Sequence, residues 1–209
     1  MPQGMLITFE GIDGCGKSTQ LLRLADWFNA QNREVLVVRE PGGTSIGEKI
    51  RCILLDKKND EMRSVTELLL YEAARAQITS QVIRPAVESG KIVICDRFFD
   101  STFAYQGYAR GLGEELVKNL NMIATEGLSP NITFLLDLPV ETALQRRLGR
   151  GEAEDRLEAM GLEFQRTVRE GYLAIAEVDS RIKCINASQS VEDIFNVIIT
   201  EVEKEIACK

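Results

Sequence analysis

Residues 11–18 read Gly-Ile-Asp-Gly-Cys-Gly-Lys-Ser, a G-x-x-x-x-G-K-S pattern. It lies between an apolar run of strand length, MLITFE (5–10), and a stretch of helical period, STQLLRLADWFNA (18–30), with Leu21, Leu22, Ala25 and Phe28 on one stripe. Few short patterns constrain a chain more. The glycines let the loop wind tightly enough for successive N–H groups to converge on one anion. The helix that follows adds its dipole at the same point. Lys17 is placed to reach β- and γ-phosphates, and the Ser18 hydroxyl to ligate Mg²⁺. The backbone of Gly11, Ile12, Asp13, Gly14, Cys15, Gly16, Lys17, Ser18 and Thr19 is therefore the expected nucleotide-phosphate cradle. A dinucleotide site of the G-x-G-x-x-G type does not fit, because that spacing is absent and Lys17 would have no role. A guanine-specific N-K-x-D is absent as well.

Strand-length apolar runs alternate with helical patterns along the rest of the chain. EVLVVRE (34–40), KIVICD (91–96), NITFLLD (131–137) and RIKCIN (181–186) read as four further strands. Between them lie a Gly-rich turn and helix (41–56), a long helix (64–89), two short helices parted by glycines (100–128), and a helix–charged flap–helix unit (139–178). A last helix begins near Ser190, and Ser64-x-x-Glu67 has the form of a capping box. The fold class expected is α/β: a five-stranded parallel sheet with helices on both faces. Strands that are nearly continuous Val/Ile/Leu runs fit such double-sided burial. No repeat or low-complexity linker interrupts the pattern. Residues 1–209 are therefore read as one domain with a flap over about 146–156.

The chain contains no histidine. That excludes a Ser-His-Asp or Cys-His centre and His-ligated zinc, leaving carboxylates, Lys, Arg, backbone amides or a hard metal ion. With 25 Lys plus Arg against 32 Asp plus Glu, the net charge of -7 argues against broad nucleic-acid or anionic-membrane binding. The five cysteines are scattered without a C-x-x-C pair, which points to a reducing cytoplasm. Cys15, at a helix start, has two readings: a thiol of lowered pKa, or a small space-filler. The opening residues do not read as a signal peptide, and no run approaches the ~18 apolar residues of a membrane span.

Three more segments fall where strands end, which is where α/β sheets bind ligands. They are Arg39-Glu40-Pro41-Gly42-Gly43-Thr44, Asp96-Arg97-Phe98-Phe99-Asp100-Ser101 running on to Gly107, and the flap from Arg146 to Arg156. Asp96 and Asp137 both end apolar strands and are both candidates for a carboxylate that holds Mg²⁺ through water. Taken together, FEGIDGCGKSTQ, REPGGT, ELLLYEAARAQ, DRFFDSTFAYQG and RGEAEDR resemble the thymidylate kinases, a family of P-loop nucleoside monophosphate kinases closed by a lid. The resemblance covers essentially the whole chain. It implies ATP-dependent transfer of a phosphoryl group to dTMP, with Mg²⁺ as cofactor, and a homodimer.

On that resemblance Asp96 rather than Asp137 is the metal carboxylate, and Arg97 clamps the phosphoryl groups. Asp13 is similar to the residue that meets the acceptor sugar 3′-OH, and Arg39 and Arg51 lie near the acceptor phosphate. Tyr71 stacks on the base where the family has Phe, and Arg75, one helical turn on, bonds the base edge. Thr102 meets the base N3 edge and Tyr105 packs against C2′. Read without the resemblance, Tyr71 could be a core aromatic, Arg75 a solvated charge and Thr102 a helix cap. The family divides into members with an arginine in the P-loop and members that supply it from the lid. Gly14 puts this chain with the second, bacterial-type group, so Arg150 is the expected catalytic lid arginine, with Arg146, Arg147 and Arg156 as alternates. Since an acceptor phosphate is already anionic, such chemistry runs without histidine. The competing readings are a kinase for another nucleotide or nucleoside, and a non-catalytic nucleotide switch.

Overall fold

The computed structural model describes residues 4–149 and 154–207. Five strands, β1 (Met5–Glu10), β2 (Val35–Arg39), β3 (Ile92–Asp96), β4 (Ile132–Asp137) and β5 (Ile182–Asn186), form one parallel sheet in the order β2-β3-β1-β4-β5. The strands in the middle are buried on both faces and those at the edges are partly exposed. This is the distribution expected when helices cover both sides. Met5, Ile7 and Phe9 join the larger core, packed on Leu24 and Phe28 of α1 (Lys17–Ala30) and Ile198 of α9 (Val191–Ala207). Leu6 points the other way, into a core with Val93, Ile78, Ile83 and Phe98. The period of two thus separates the layers.

The long helical stretch is not continuous. It runs as α3 (Ser64–Ile78), a π-helical turn (Thr79–Ile83) and α4 (Arg84–Glu88). Pro85 lacks the N–H that would close the regular ladder, and the wider turn precedes it. The capping box expected at Ser64-x-x-Glu67 does not form. Arg63 occupies the cap position and its side chain makes no capping bond. Glu67 is turned inward, where it accepts from Gln106 and Arg110. A buried carboxylate gains more from charged and amide donors inside the fold than from one backbone amide at a wet helix end. Beyond β3, α5 (Phe99–Thr102) leads into a second π-helical turn (Phe103–Ala109) and then α6 (Glu114–Thr125). The flap rises from α7 (Val140–Leu148) and returns through a 3₁₀ turn (Glu158–Met160) to α8 (Leu162–Val178). α2 (Ser45–Leu55) follows the Gly-rich turn after β2, its start capped by Thr44, whose hydroxyl accepts from Gly47 N at 2.9 Å.

The strand order gathers the chemistry. β1 lies between β3 and β4, and its register sets Phe9 beside Asp96, while Arg39 of β2 is also level with Asp96. All the loops that the sequence marks as chemical leave the same edge of the sheet. Among the described residues no helix is long and apolar enough to cross a membrane.

Candidate active site

The loop after β1 has the backbone that its glycines permit, with φ of 130° at Gly11, 92° at Gly14 and 105° at Gly16. Lys17 folds back over it: Nζ donates to Gly11 O at 2.9 Å and Ile12 O at 3.3 Å, and reaches Asp13 Oδ1 at 3.5 Å. Ser18 Oγ donates to Asp96 Oδ2 at 3.3 Å, joining the start of α1 to the end of β3. Asp137 is engaged differently, held by both arms of Arg169 at 2.6 and 2.9 Å. Of the two candidate carboxylates, only Asp96 pairs with Ser18. Cys15 is buried against the core, and burial pushes its thiol up, so the reading of a lowered pKa is overturned in favour of the space-filler.

A cavity of about 480 Å³ opens beside the loop, walled by Asp13, Arg39, Arg51, Tyr71, Arg97 and Tyr105, with Thr102, Asp96 and Gln106 also on its surface. Seven of the eight substrate residues expected from the resemblance therefore meet in one place, Arg75 being the exception. Arg97 dominates it. Its backbone is left-handed, with φ 69°. Its Nη2 donates to Asp13 Oδ1 at 2.7 Å, and its Nη1 to Tyr172 Oη at 3.0 Å and Ser101 Oγ at 3.3 Å. Burial opposes the Asp13 charge, but Arg97 and then Lys17 outweigh it and hold that carboxyl below its ordinary range. The Arg97 guanidinium also sits 5.4 Å from the Tyr105 ring centroid, and burial pushes the Tyr105 phenol up, keeping it neutral.

Arg39 and Arg51 meet at the cavity mouth, where each donates to Pro41 O at 2.9 Å; Arg39 also grips Glu48 through Nη2 at 3.0 and 2.9 Å. Arg75 is not part of the cavity wall. It lies beneath the floor, 2% exposed, where Nε donates to Glu40 at 2.8 Å and Nη1 to Glu72 and Thr102, both at 2.7 Å. Nη1 also reaches Asn121 and Nη2 donates to Phe98 O, both at 3.1 Å. The solvated-charge reading of Arg75 is thereby overturned. Thr102 ends α5 and stands at the N-cap position of the turn that follows, but its hydroxyl receives Arg75 and makes no capping bond.

On the far side of the loop a second cavity, of about 470 Å³, is lined by Gly14, Gly16, Thr19, Arg146, Gln189 and Val191. Arg146 donates from there to Ala187 O at 3.2 Å. Arg147 pairs with Glu158 at 2.7 Å across the flap. Arg156 is buried, donating to Leu54 O at 2.8 Å and pairing with Glu67 at 2.7 Å, so it fastens the returning arm of the flap to α2 and α3. Arg150 lies outside the described residues.

Several residues of this site carry no strong mark in the sequence. Glu10, Ser101 and Tyr172 form a buried group behind Arg97, and Glu67, Arg110 and Gln106 another under the flap. Burial, then Asp100, pushes the Glu10 carboxyl up to about 7 against the pull of Arg97. Its one sequence signal is a carboxylate at the exit of the strand that feeds the loop.

Comparison with known proteins finds relatives along almost the whole chain. The family model described as thymidylate kinase matches residues 9–198. A thymidylate kinase of Chlorobium luteolum is 52% identical over 204 residues, covering 93% of this chain and 95% of that protein. One from a Thermoanaerobacter species is 49% identical over 203 residues, covering 97% and 98%. Among solved structures, thymidylate kinase from Ehrlichia chaffeensis superposes with a TM-score of 0.78 at 35% identity, covering 96% of this chain and 99% of that one.

Proposed function

The chain belongs to the thymidylate kinase family, and from that premise we propose how its cleft converts dTMP and ATP into dTDP and ADP. The observation that carries the reading is the Arg97–Asp13 pair, 2.7 Å apart, set between Lys17 and the larger cavity. ATP takes the far side of the loop, with its phosphates on the amides of residues 11–19, and dTMP takes the larger cavity. The two phosphates then face each other across Lys17 and Arg97. An acceptor phosphate oxygen attacks the γ-phosphorus as the bond to the β–γ bridging oxygen breaks, and that oxygen leaves with ADP. No side chain has to remove a proton from the nucleophile. The work is alignment and neutralisation of charge on the three oxygens in transit, for which a lysine and a forked guanidinium are suited.

In this reading Asp13 receives the sugar 3′-OH, and Arg39 and Arg51 hold the acceptor phosphate at the mouth. Tyr71 stacks on thymine, and Tyr105 fills the space that a 2′-OH would need. Thr102 faces the base edge, and Arg75, which lies beneath the cavity floor, acts through it by donating Nη1 to Thr102 Oγ1 at 2.7 Å. Arg150 completes the charge cluster from the lid; of the alternates, Arg147 pairs with Glu158, Arg156 with Glu67, and Arg146 lines the second cavity, where it donates to Ala187 O. Ser18 and Asp96 would hold Mg²⁺, which when bound neutralises phosphate charge. Their donor set fits a cation that keeps water and phosphate ligands: one hydroxyl, one carboxylate and, among the described residues, no cluster of three metal-binding side chains. Unpaired thiols at Cys15, Cys52, Cys95 and Cys184 support a cytoplasmic setting. Exposed apolar side chains at Leu69 on α3 and Ile123 on α6 support a homodimer through helices.

The test is purified protein with ATP and Mg²⁺ against dTMP, dUMP, UMP and thymidine. Diphosphate from dTMP in strong preference to the others is expected. Turnover of thymidine instead would assign a nucleoside kinase, and ATP binding without acceptor-dependent turnover a switch. In the same assay Arg150→Ala is expected to slow single-turnover transfer by roughly a hundredfold or more, the scale of a lost transition-state arginine.

A further inference from the structure

Glu10 is 1% exposed, and the proposed reaction makes no direct use of it. A buried carboxylate needs hydrogen-bond donors, and Glu10 has three. Oε1 accepts from Phe98 N at 2.7 Å. Oε2 accepts from Ser101 Oγ at 2.6 Å and from Tyr172 Oη at 2.9 Å. Each hydroxyl has a single hydrogen. Ser101 Oγ and Tyr172 Oη also lie 2.7 Å apart, so the two hydroxyl hydrogens are shared over a closed triangle with Glu10 Oε2. Both hydroxyl oxygens accept from Arg97 Nη1, at 3.3 and 3.0 Å, and Nη1 has one hydrogen for each.

The backbone is tied in as well. Arg97 is left-handed at φ 69°, a conformation that side-chain-bearing residues rarely adopt and that the surroundings must hold in place. The residue is pinned on both flanks, by Arg97 N donating to Phe9 O at 2.9 Å and by Phe98 N donating to Glu10. Two successive residues of β1 therefore hold the turn that aims Arg97.

We infer that Glu10 is a positioning residue for phosphoryl transfer: through Ser101, Tyr172 and the Phe98 amide it fixes both the backbone turn and the guanidinium plane of Arg97. The inference rests on the reading of Arg97 as the phosphoryl clamp. Glu10 does not touch substrate. What it supplies is orientation: a guanidinium that rotates about its long stem loses the fork geometry that distinguishes it from a point charge.

The test uses Glu10→Gln, nearly isosteric but with an amide that donates where the carboxylate accepts. Single-turnover transfer from ATP to dTMP is expected to slow about tenfold or more, while KM for both substrates moves less than roughly threefold. In an Arg97→Ala background the same substitution is expected to cost less than about twofold, because the residue it positions is gone. A merely structural role would lower the rate equally in both backgrounds, and that result overturns the inference, as does a single-variant rate within about twofold of wild type. Should Glu10→Gln not fold, Tyr172→Phe takes its place in the same cycle, with the same dependence on Arg97 expected and the same independence overturning it. A second readout does not depend on activity. In protein labelled with ¹⁵N-arginine, the Arg97 Nη signals should be resolved in wild type and averaged by rotation in Glu10→Gln; unchanged signals overturn the inference. Lack of transfer by wild type would overturn the kinase reading alone, and the spectra would still decide whether Glu10 holds Arg97.

Discussion

A Cβ on Gly14 would lie 2.4 Å from the carbonyl oxygen of Ala143, with φ at 92°. Helix α7 thus occupies the space through which a P-loop side chain would leave, and this is a physical reason for the positive charge to come from the lid. Gly14→Ala is expected to cost about 2 kcal/mol or more in urea unfolding, from strain and from displacement of α7. A substitution that leaves stability unchanged would mean that α7 gives way freely. Glu10 makes a second prediction at this scale. Its carboxyl is raised from 4.5 to about 7, so the folded chain binds that proton more tightly than the unfolded one. The raised group therefore subtracts from stability above pH 7, and the loss is relieved as the pH falls from 7 towards 4.5. The stability difference between wild type and Glu10→Gln should accordingly shift in favour of wild type across that window, and a difference flat with pH would rule the shift out.

Among the elements, the flap and α3 are joined by one carboxylate. Glu67 is fully buried and pairs with Arg110 at 3.0 Å and Arg156 at 2.7 Å. Removing one member of a buried ion cluster leaves uncompensated charge, at a cost of about 3–5 kcal/mol. Glu67→Gln is expected to destabilise by that order and to raise KM for dTMP, since α3 also supplies Tyr71; chemical denaturation and steady-state kinetics check the two parts. The same residue shows where reading a sequence stops. Ser64-x-x-Glu67 matches a cap by spacing, but the partners that claim Glu67 arrive from the π-helical turn and the flap. No local signal announces them. Strand ends and the P-loop are readable because their function is local: a glycine where φ must be positive, a lysine at fixed distance, an apolar run ended by an acid. Arg97, Asp96 and Asp13 lie in such local patterns. Glu10, Ser101 and Tyr172 do not, since each is an ordinary residue until the fold brings β1, α5 and α8 together. The π-helical turns are equally silent.

Across the whole molecule the net charge of -7 should repel two anionic substrates. Arg39, Arg51 and Arg97 share the cavity with the carboxylates of Asp13, Glu40, Asp96, Asp155 and Glu158, so attraction has to come from directed contacts at close range, to these guanidinium groups and to the loop that Lys17 covers, while salt screens the distant acidic helices. The proposed homodimer belongs to this scale too. Leu69 is 51% exposed and Ile123 72%. Sedimentation velocity is expected to give a dimer, with Leu69→Glu and Ile123→Glu together shifting it to monomer; a wild-type monomer at assay concentrations would remove the proposal. The chemistry leaves one edge of the sheet, through the loops after β1, β2 and β3 and the flap that follows β4. The turn over residues 31–34 between α1 and β2 lies at the opposite edge. The chain has in effect a working rim and a free rim. The turns before β4 and β5 hold structural contacts, Asn131 to Leu6 N and Arg181 to Asp100, so the turn after α1 is the place on that rim to tether or label this protein away from the chemistry.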